Sequence, residues 1–80
     1  MIIGVPAEVK NNENRIGLTP DSVKYLSGIG NEILVQDGAG TNIGFTNDLY
    51  INAGAKILKN AEEIYESSEM IVKVKEPTPD

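Results

Sequence analysis

Short β-branched runs alternate with helical patterns along the whole chain. Ile2, Ile3 and Val5 form the first run, closed by Pro6. Apolar residues at consecutive positions predict a parallel strand covered on both faces rather than one with a wet side. Ile33, Leu34 and Val35 make a second strand, and Ile57 and Leu58 a brief third. Met70 to Val74 make a fourth, interrupted by Lys73. Pro77 cannot donate to a sheet ladder and holds Glu76 in extended or turn backbone, so this strand is expected to end near Lys75.

Between the strands lie helix signals. Thr19-Pro20-Asp21-Ser22 starts one: Thr19 can cap it, Pro20 suits its first position and Asp21 complements its positive end. Val23, Leu26 and the neighbouring Tyr25 would form its buried stripe, and Gly28 and Gly30 its end. Thr46 looks like the cap of a second helix carrying Leu49, Tyr50 and Ile51 and ended by Gly54. Asn60-Ala61-Glu62-Glu63 resembles a capping box in which Glu63 reaches back, with Ala61, Ile64 and Tyr65 as the apolar face. Tyr25, Tyr50 and Tyr65 all sit beside aliphatic residues, which predicts core or half-buried packing. Alternating strands and helices with mostly short connections predict an α/β fold. Its parallel sheet would carry flanking helices in a Rossmann-like or flavodoxin-like layout.

Composition narrows the function classes. The chain has 80 residues and a net charge of −5, which argues against nucleic acid, since phosphate binding needs a basic face. It has no cysteine, hence no disulfide framework and no thiolate metal site, as suits a reducing, cytoplasmic setting. With no histidine either, it lacks the commonest general acid–base and metal ligand. No apolar run approaches the roughly 20 residues of a membrane span, so no membrane partner is expected. The start runs directly into strand-like sequence without a basic region, so no signal peptide is expected. A domain this small buries only about 60% of the surface that its unfolded chain exposes.

Two features could carry chemistry. Ala7 to Leu18 is a polar loop after the first strand, a position more often functional than ornamental. It contains Arg15, while Lys75 ends the fourth strand; both therefore fall at the carboxyl edge of the sheet, where ligands bind in open α/β folds. The arginine fork matches a carboxylate in bidentate fashion, and lysine supplies a compact charge. Together they suit a small oxo-acid, with Arg15 on its carboxylate and Lys75 beside its carbonyl oxygen. The plainer alternative pairs Arg15 with Glu8 or Glu13 and leaves Lys75 as a solvated strand end beside Glu76.

The second feature is Gly38-Ala39-Gly40-Thr41-Asn42-Ile43-Gly44, which follows a strand and precedes a helix as a dinucleotide fingerprint does. Its last glycine comes one residue late, Asp37 would set a negative charge beside a pyrophosphate, and the next long strand carries Lys73 and Lys75 where an acidic residue is wanted. A turn in which glycine supplies positive φ is the expected role, and no cofactor-binding residue is assigned. Glu62, Glu63, Glu66 and Glu69 have helical spacing and predict a solvated helix face, not a metal site.

Gly4-Val5-Pro6-Ala7-Glu8, Asn11-Asn12-Glu13-Asn14-Arg15 and Leu18-Thr19-Pro20 resemble the start of the alanine dehydrogenase and pyridine nucleotide transhydrogenase N-terminal domain. So do Gly38-Ala39-Gly40, Gly44-Phe45, Tyr50, Ala53-Gly54-Ala55 and Lys73-Val74-Lys75-Glu76-Pro77, in order along the whole chain. The last segment is similar to alanine dehydrogenases, since transhydrogenases usually carry asparagine at the position of Lys75. The resemblance implies interconversion of L-alanine and pyruvate with NAD and ammonia, in a parent that is a homo-oligomer, a hexamer by family likeness. It places the family's substrate-binding arginine on Arg15 and its substrate-binding lysine on Lys75. Two departures stand out: Ala7 replaces a usual lysine, and Gly17 a usual alanine.

The resemblance also implies that residues 1–80 are the N-terminal part of a catalytic domain. The family's catalytic histidine and aspartate and its NAD-binding domain would then lie beyond this chain. No catalytic residue is expected here, the chain alone is expected to be inactive, and NAD is expected on the missing domain only. A sheet deprived of later neighbours is expected to self-associate, swap elements or be loosely stable. The alternatives are the matching part of a proton-translocating transhydrogenase α subunit and a free-standing module that binds a small carboxylate.

Overall fold

The computed structural model describes residues 1–7 and 17–72. Its strands are β1 (Ile2–Val5), β2 (Glu32–Gln36), β3 (Ala55–Leu58) and β4 (Met70–Ile71). Its helices are α1 (Pro20–Gly28), α2 (Asn47–Asn52) and α3 (Ala61–Ser67), and a 3-10 turn spans Thr41–Ile43. The strands form one parallel sheet in the order β3-β2-β1-β4.

That order follows from the chain's path. From β1 it steps outward to β2 and then β3, with α1 and α2 as the crossovers. It then returns past β1 to lay β4 on the far side. A right-handed crossover in the reverse direction must use the opposite face of the sheet, and α3 does so. Side chains alternate across a strand, so Ile3, Val5, Ile33, Val35 and Ala55 share the face covered by α1 and α2. Val23 of α1 and Tyr50 of α2 complete that core. Gly4 and its register partner Leu34 face the other way, where Ile64 of α3 is wholly buried.

Each helix starts as its sequence predicts. Thr19 Oγ1 accepts the Ser22 N–H at 3.2 Å, Thr46 Oγ1 the Leu49 N–H at 3.4 Å, and Asn60 Oδ1 the Glu63 N–H at 2.9 Å. Glu63 reaches one residue further back than a capping box requires. Its Oε1 accepts from the Lys59 N–H at 3.2 Å, not from the cap residue.

Several expectations need correction. Tyr25 is 68% exposed and Tyr65 is 49% exposed. Tyr25 lies two residues, about 200° of helix, from buried Val23, and Tyr65 lies about 100° from buried Ile64; short helices on a small sheet bury only one narrow stripe. β3 begins at Ala55, earlier than Ile57, because pairing of Ala55 with Ile33 and of Lys56 with Leu34 draws two more residues into the ladder. Glu69 is not on the α3 face: it follows the helix, and its Oε1 accepts from the Ile2 N–H at 2.7 Å, tying the start of β1 to the approach to β4.

Candidate functional site at the carboxyl edge

The reversal of strand order falls between β1 and β4, and the crevice beyond the carboxyl ends of two such strands is where α/β sheets bind ligands. β1 leads into Pro6 and Ala7 at this edge. β4 leads into Val72, whose N–H donates to the Gly4 carbonyl at 2.9 Å. Arg15 and Lys75, the two residues singled out from the sequence, lie outside the described residues, in the segments that leave β1 and β4 respectively. The described residues form a frame at this edge of the sheet.

β2 and β3 close one side of that frame. Gln36, the last residue of β2, accepts the Ala7 N–H on its Oε1 at 2.8 Å. One residue on, the Asp37 N–H donates to the Leu58 carbonyl at 2.7 Å. Asn47 then locks the following turn from both ends of its carboxamide: Nδ2 donates to Asp37 Oδ1 at 2.7 Å, and Oδ1 accepts the Gly38 N–H at 3.0 Å.

The glycine segment is a turn in which most amides already donate within the protein. Gly38 has φ 77° and Gly44 φ 86°, conformations that L side chains rarely adopt. The Thr41 N–H donates to the Gly38 carbonyl, and the Ile43 and Phe45 N–H groups both donate to Gly40. At Gly40 a Cβ would come within 2.7 Å of Phe45 Cβ and 2.9 Å of the Phe45 carbonyl oxygen. The glycine thus admits Phe45, whose ring meets Tyr50 edge-on at 6.3 Å and 85°.

Tyr50 is wholly buried, and its hydroxyl donates to the Leu18 carbonyl at 2.8 Å. Burial pushes the phenol up to about 12, so the donor keeps its proton throughout the neutral range. Neither this contact nor that of Gln36 was identified from the sequence. The signal was present for Tyr50, since a buried phenol needs a partner for its O–H. For Gln36 no local pattern points across the sheet to residue 7.

Other groups stay apart from this edge. Glu62, Glu63 and Glu66 are exposed on α3, and Lys56 pairs with Glu32 at 3.6 Å across β2 and β3 in open solvent. Among the described residues no group of three or more His, Cys, Asp or Glu could hold a metal ion. No helix among them is long and apolar enough to cross a membrane.

Residues 4–80 match the family described as "Alanine dehydrogenase/PNT, N-terminal domain". All 80 residues align at 50% identity with 21% of the alanine dehydrogenase of Bacillus subtilis strain 168. The alanine dehydrogenase of Methanococcus maripaludis is 47% identical over 77 residues, covering 96% of this chain and 21% of that protein. A solved L-alanine dehydrogenase superposes with a TM-score of 0.89 at 46% identity, over 99% of this chain and 22% of its own. A transhydrogenase from Sinorhizobium meliloti superposes at 0.85 and 28% identity, over 98% of this chain and 23% of its own. The chain spans about a fifth of the length of these relatives.

Proposed function

This chain belongs to the alanine dehydrogenase/PNT N-terminal domain family, and from that premise we propose that it is the N-terminal part of an NAD-dependent L-alanine dehydrogenase. The reaction would be L-alanine, NAD and water to pyruvate, ammonia and NADH. Within it, Arg15 holds the substrate carboxylate with its planar fork, and Lys75 sits beside the carbonyl oxygen, where its charge offsets the negative charge that grows there.

One observation carries the reading. β1 and β4 are neighbours, and the strand order reverses between them. The segments bearing Arg15 and Lys75 therefore leave one edge from strands roughly 4.8 Å apart. Lys75 follows Val72 by three residues, a reach of at most about 11 Å from the last described position of β4. A guanidinium and an ammonium separated by sixty residues of sequence can then serve a single small anion.

The Gly38–Gly44 turn is a poor match for NAD, because its Gly38, Ala39, Thr41, Ile43 and Gly44 amides already donate within the protein and Asp37 lies beside them. The cofactor, the catalytic acid–base and the remaining contacts belong on this reading to sequence beyond Asp80, in a homo-oligomeric parent. The chain by itself is then half of a substrate site and turns nothing over. The transhydrogenase likeness supports a second reading, a nucleotide-binding piece of a membrane assembly, but the lysine at position 75 favours the dehydrogenase.

The test is the complete gene product, assayed for NADH-dependent amination of pyruvate. Lys75→Ala and Arg15→Ala should each lower kcat/KM by on the order of a hundredfold with the fold intact. Unchanged kinetics in both would return the pair to the solvated surface. A reading frame that stops at residue 80 would instead favour a free-standing carboxylate-binding module.

A further inference from the structure

α1 carries apolar side chains beyond the stripe that it turns to the sheet. Val23 is wholly buried against the strands, while Tyr25 is 68% and Ile29 61% exposed. Ser27 marks the side toward α2, since a Cβ on Gly54 would come within 2.6 Å of its Oγ. At about 100° per residue, Ser27 lies roughly 40° to one side of Val23. Leu26 and Ile29 lie roughly 60° and 120° to the other, with Tyr25 beyond them. This second stripe therefore looks away from α2 and β3, toward β4. With Leu18, Asp21 and Ser22, its residues Tyr25 and Leu26 line a hollow of about 420 Å³.

The sheet supplies a floor beside it. Met70 pairs in register with Ile3, so its side chain lies on the face that α1 and α2 cover. It is nevertheless 48% exposed, because those helices lie over β2 and β3. Wall and floor together form an apolar step along the open flank of α1.

The unit that follows β4 in chain order does not reach this step. Moving outward from β4 repeats the direction of the β1-to-β4 crossing, whose right-handed crossover uses the face of α3. A second copy is a poor occupant. A two-fold contact sets like surfaces together, and each chain carries a net charge of −5 with Asp21 in the hollow. The chain spans about a fifth of its relatives' length, which leaves ample sequence to return as a cover. A sheet face and a helix flank offer no free backbone partners, so the cover must satisfy its own amides, as a helix does. Tyr25, Ile29 and Met70 call for an apolar stripe on that helix, and Asp21 for a lysine or arginine at its edge.

We propose that the Tyr25–Ile29 side of α1 and the Met70 floor are the docking face for an amphipathic helix of the parent polypeptide, returning from beyond Asp80 to lie beside α1. This rests on the reading of the chain as the first part of a longer enzyme, and on no role for Arg15 or Lys75.

The experiment is hydroxyl-radical footprinting of the complete gene product, folded and in urea, read by mass spectrometry. When folded, Tyr25 and Met70 should be oxidised on the order of tenfold more slowly, because a covered side chain meets water only when the structure opens. A ring as open as Tyr25 is in this chain would keep more than half of its unfolded rate, and that result would overturn the proposal. A diazirine analogue of methionine, incorporated at Met70, then identifies the cover in an assembly mixed from light and heavy-isotope copies. Cross-links should land in a helical stretch after Asp80 of the same chain. Cross-links to a second copy, or only within residues 1–80, would also overturn it. A reading frame that stops at residue 80 removes the longer parent and this helix with it. A longer frame with Tyr25 still open sinks this proposal alone.

Discussion

Gly4 and Ser68 meet where β1 passes beneath the end of α3. A Cβ built on Gly4 would run into Ser68 Oγ, approach Ser68 Cβ to 2.9 Å and Ile64 Cγ2 to 2.7 Å. Glycine at this position is thus a requirement of packing, since it lets the α3–β4 connection close onto the middle of the sheet.

The first prediction follows directly. Gly4→Ala should destabilise the fold by about 1–3 kcal/mol, the usual cost of forcing extra volume into a packed interior. Urea titration checks it. A pairing with Ser68→Gly should recover part of the loss, because the alanine methyl would then have somewhere to go, and a midpoint unchanged in Gly4→Ala would refute the packing argument.

Alkaline stability should report on Tyr50. Its folded pKa, pushed up to about 12 by burial, exceeds the ordinary value of 10. The folded state therefore holds the phenolic proton more tightly than the unfolded chain does, and stability falls as pH rises. The contribution is complete below pH 10 and is lost as pH climbs from there through 12, to a total on the order of 2 kcal/mol. Denaturation followed between pH 9 and pH 12 should show this slope, and Tyr50→Phe should lack it.

Asn60 offers a cleaner local test. Asn60→Ala removes the oxygen that accepts the Glu63 N–H and should cost about 1 kcal/mol. Asn60→Asp keeps the acceptor and should cost little. Equal losses in the two would show that the cap bond is not what starts α3.

The purified chain should show no NAD-dependent conversion of pyruvate and ammonia. Its sequence contains no histidine to move a proton near neutral pH, and five amides of its glycine turn already donate within the protein. Absorbance of NADH over time measures this, and turnover that persists through further purification would defeat the two-part view of the site.

Much of this architecture was legible in the sequence because its signals are local. Thr19, Thr46 and Asn60 each name a helix start by their own chemistry, and Ile33-Leu34-Val35 names a doubly covered strand. Burial around each helix was less legible. Tyr25 and Tyr65 looked like core beside Leu26 and Ile64, yet which residue of a short helix turns inward depends on where the sheet lies. The frame of the site was the least legible. Gln36 reaching Ala7 and Tyr50 reaching Leu18 are long-range choices that depend on strand order, and no spacing along the chain encodes them. Arg15 and Lys75 were read from residue chemistry and family likeness, and the adjacency of β1 and β4 supplies the topological reason to treat them as a pair.

The central placing of β1 also bears on how the polypeptide emerges from the ribosome. Ile3 finds Ile33 on one side early, but its other neighbour, Met70, is added much later. At roughly 5–20 residues per second, β1 waits several seconds with one flank bare. A strand in the middle of the sheet is thus made well before its second neighbour, and a cell making this polypeptide must guard that flank in the interval.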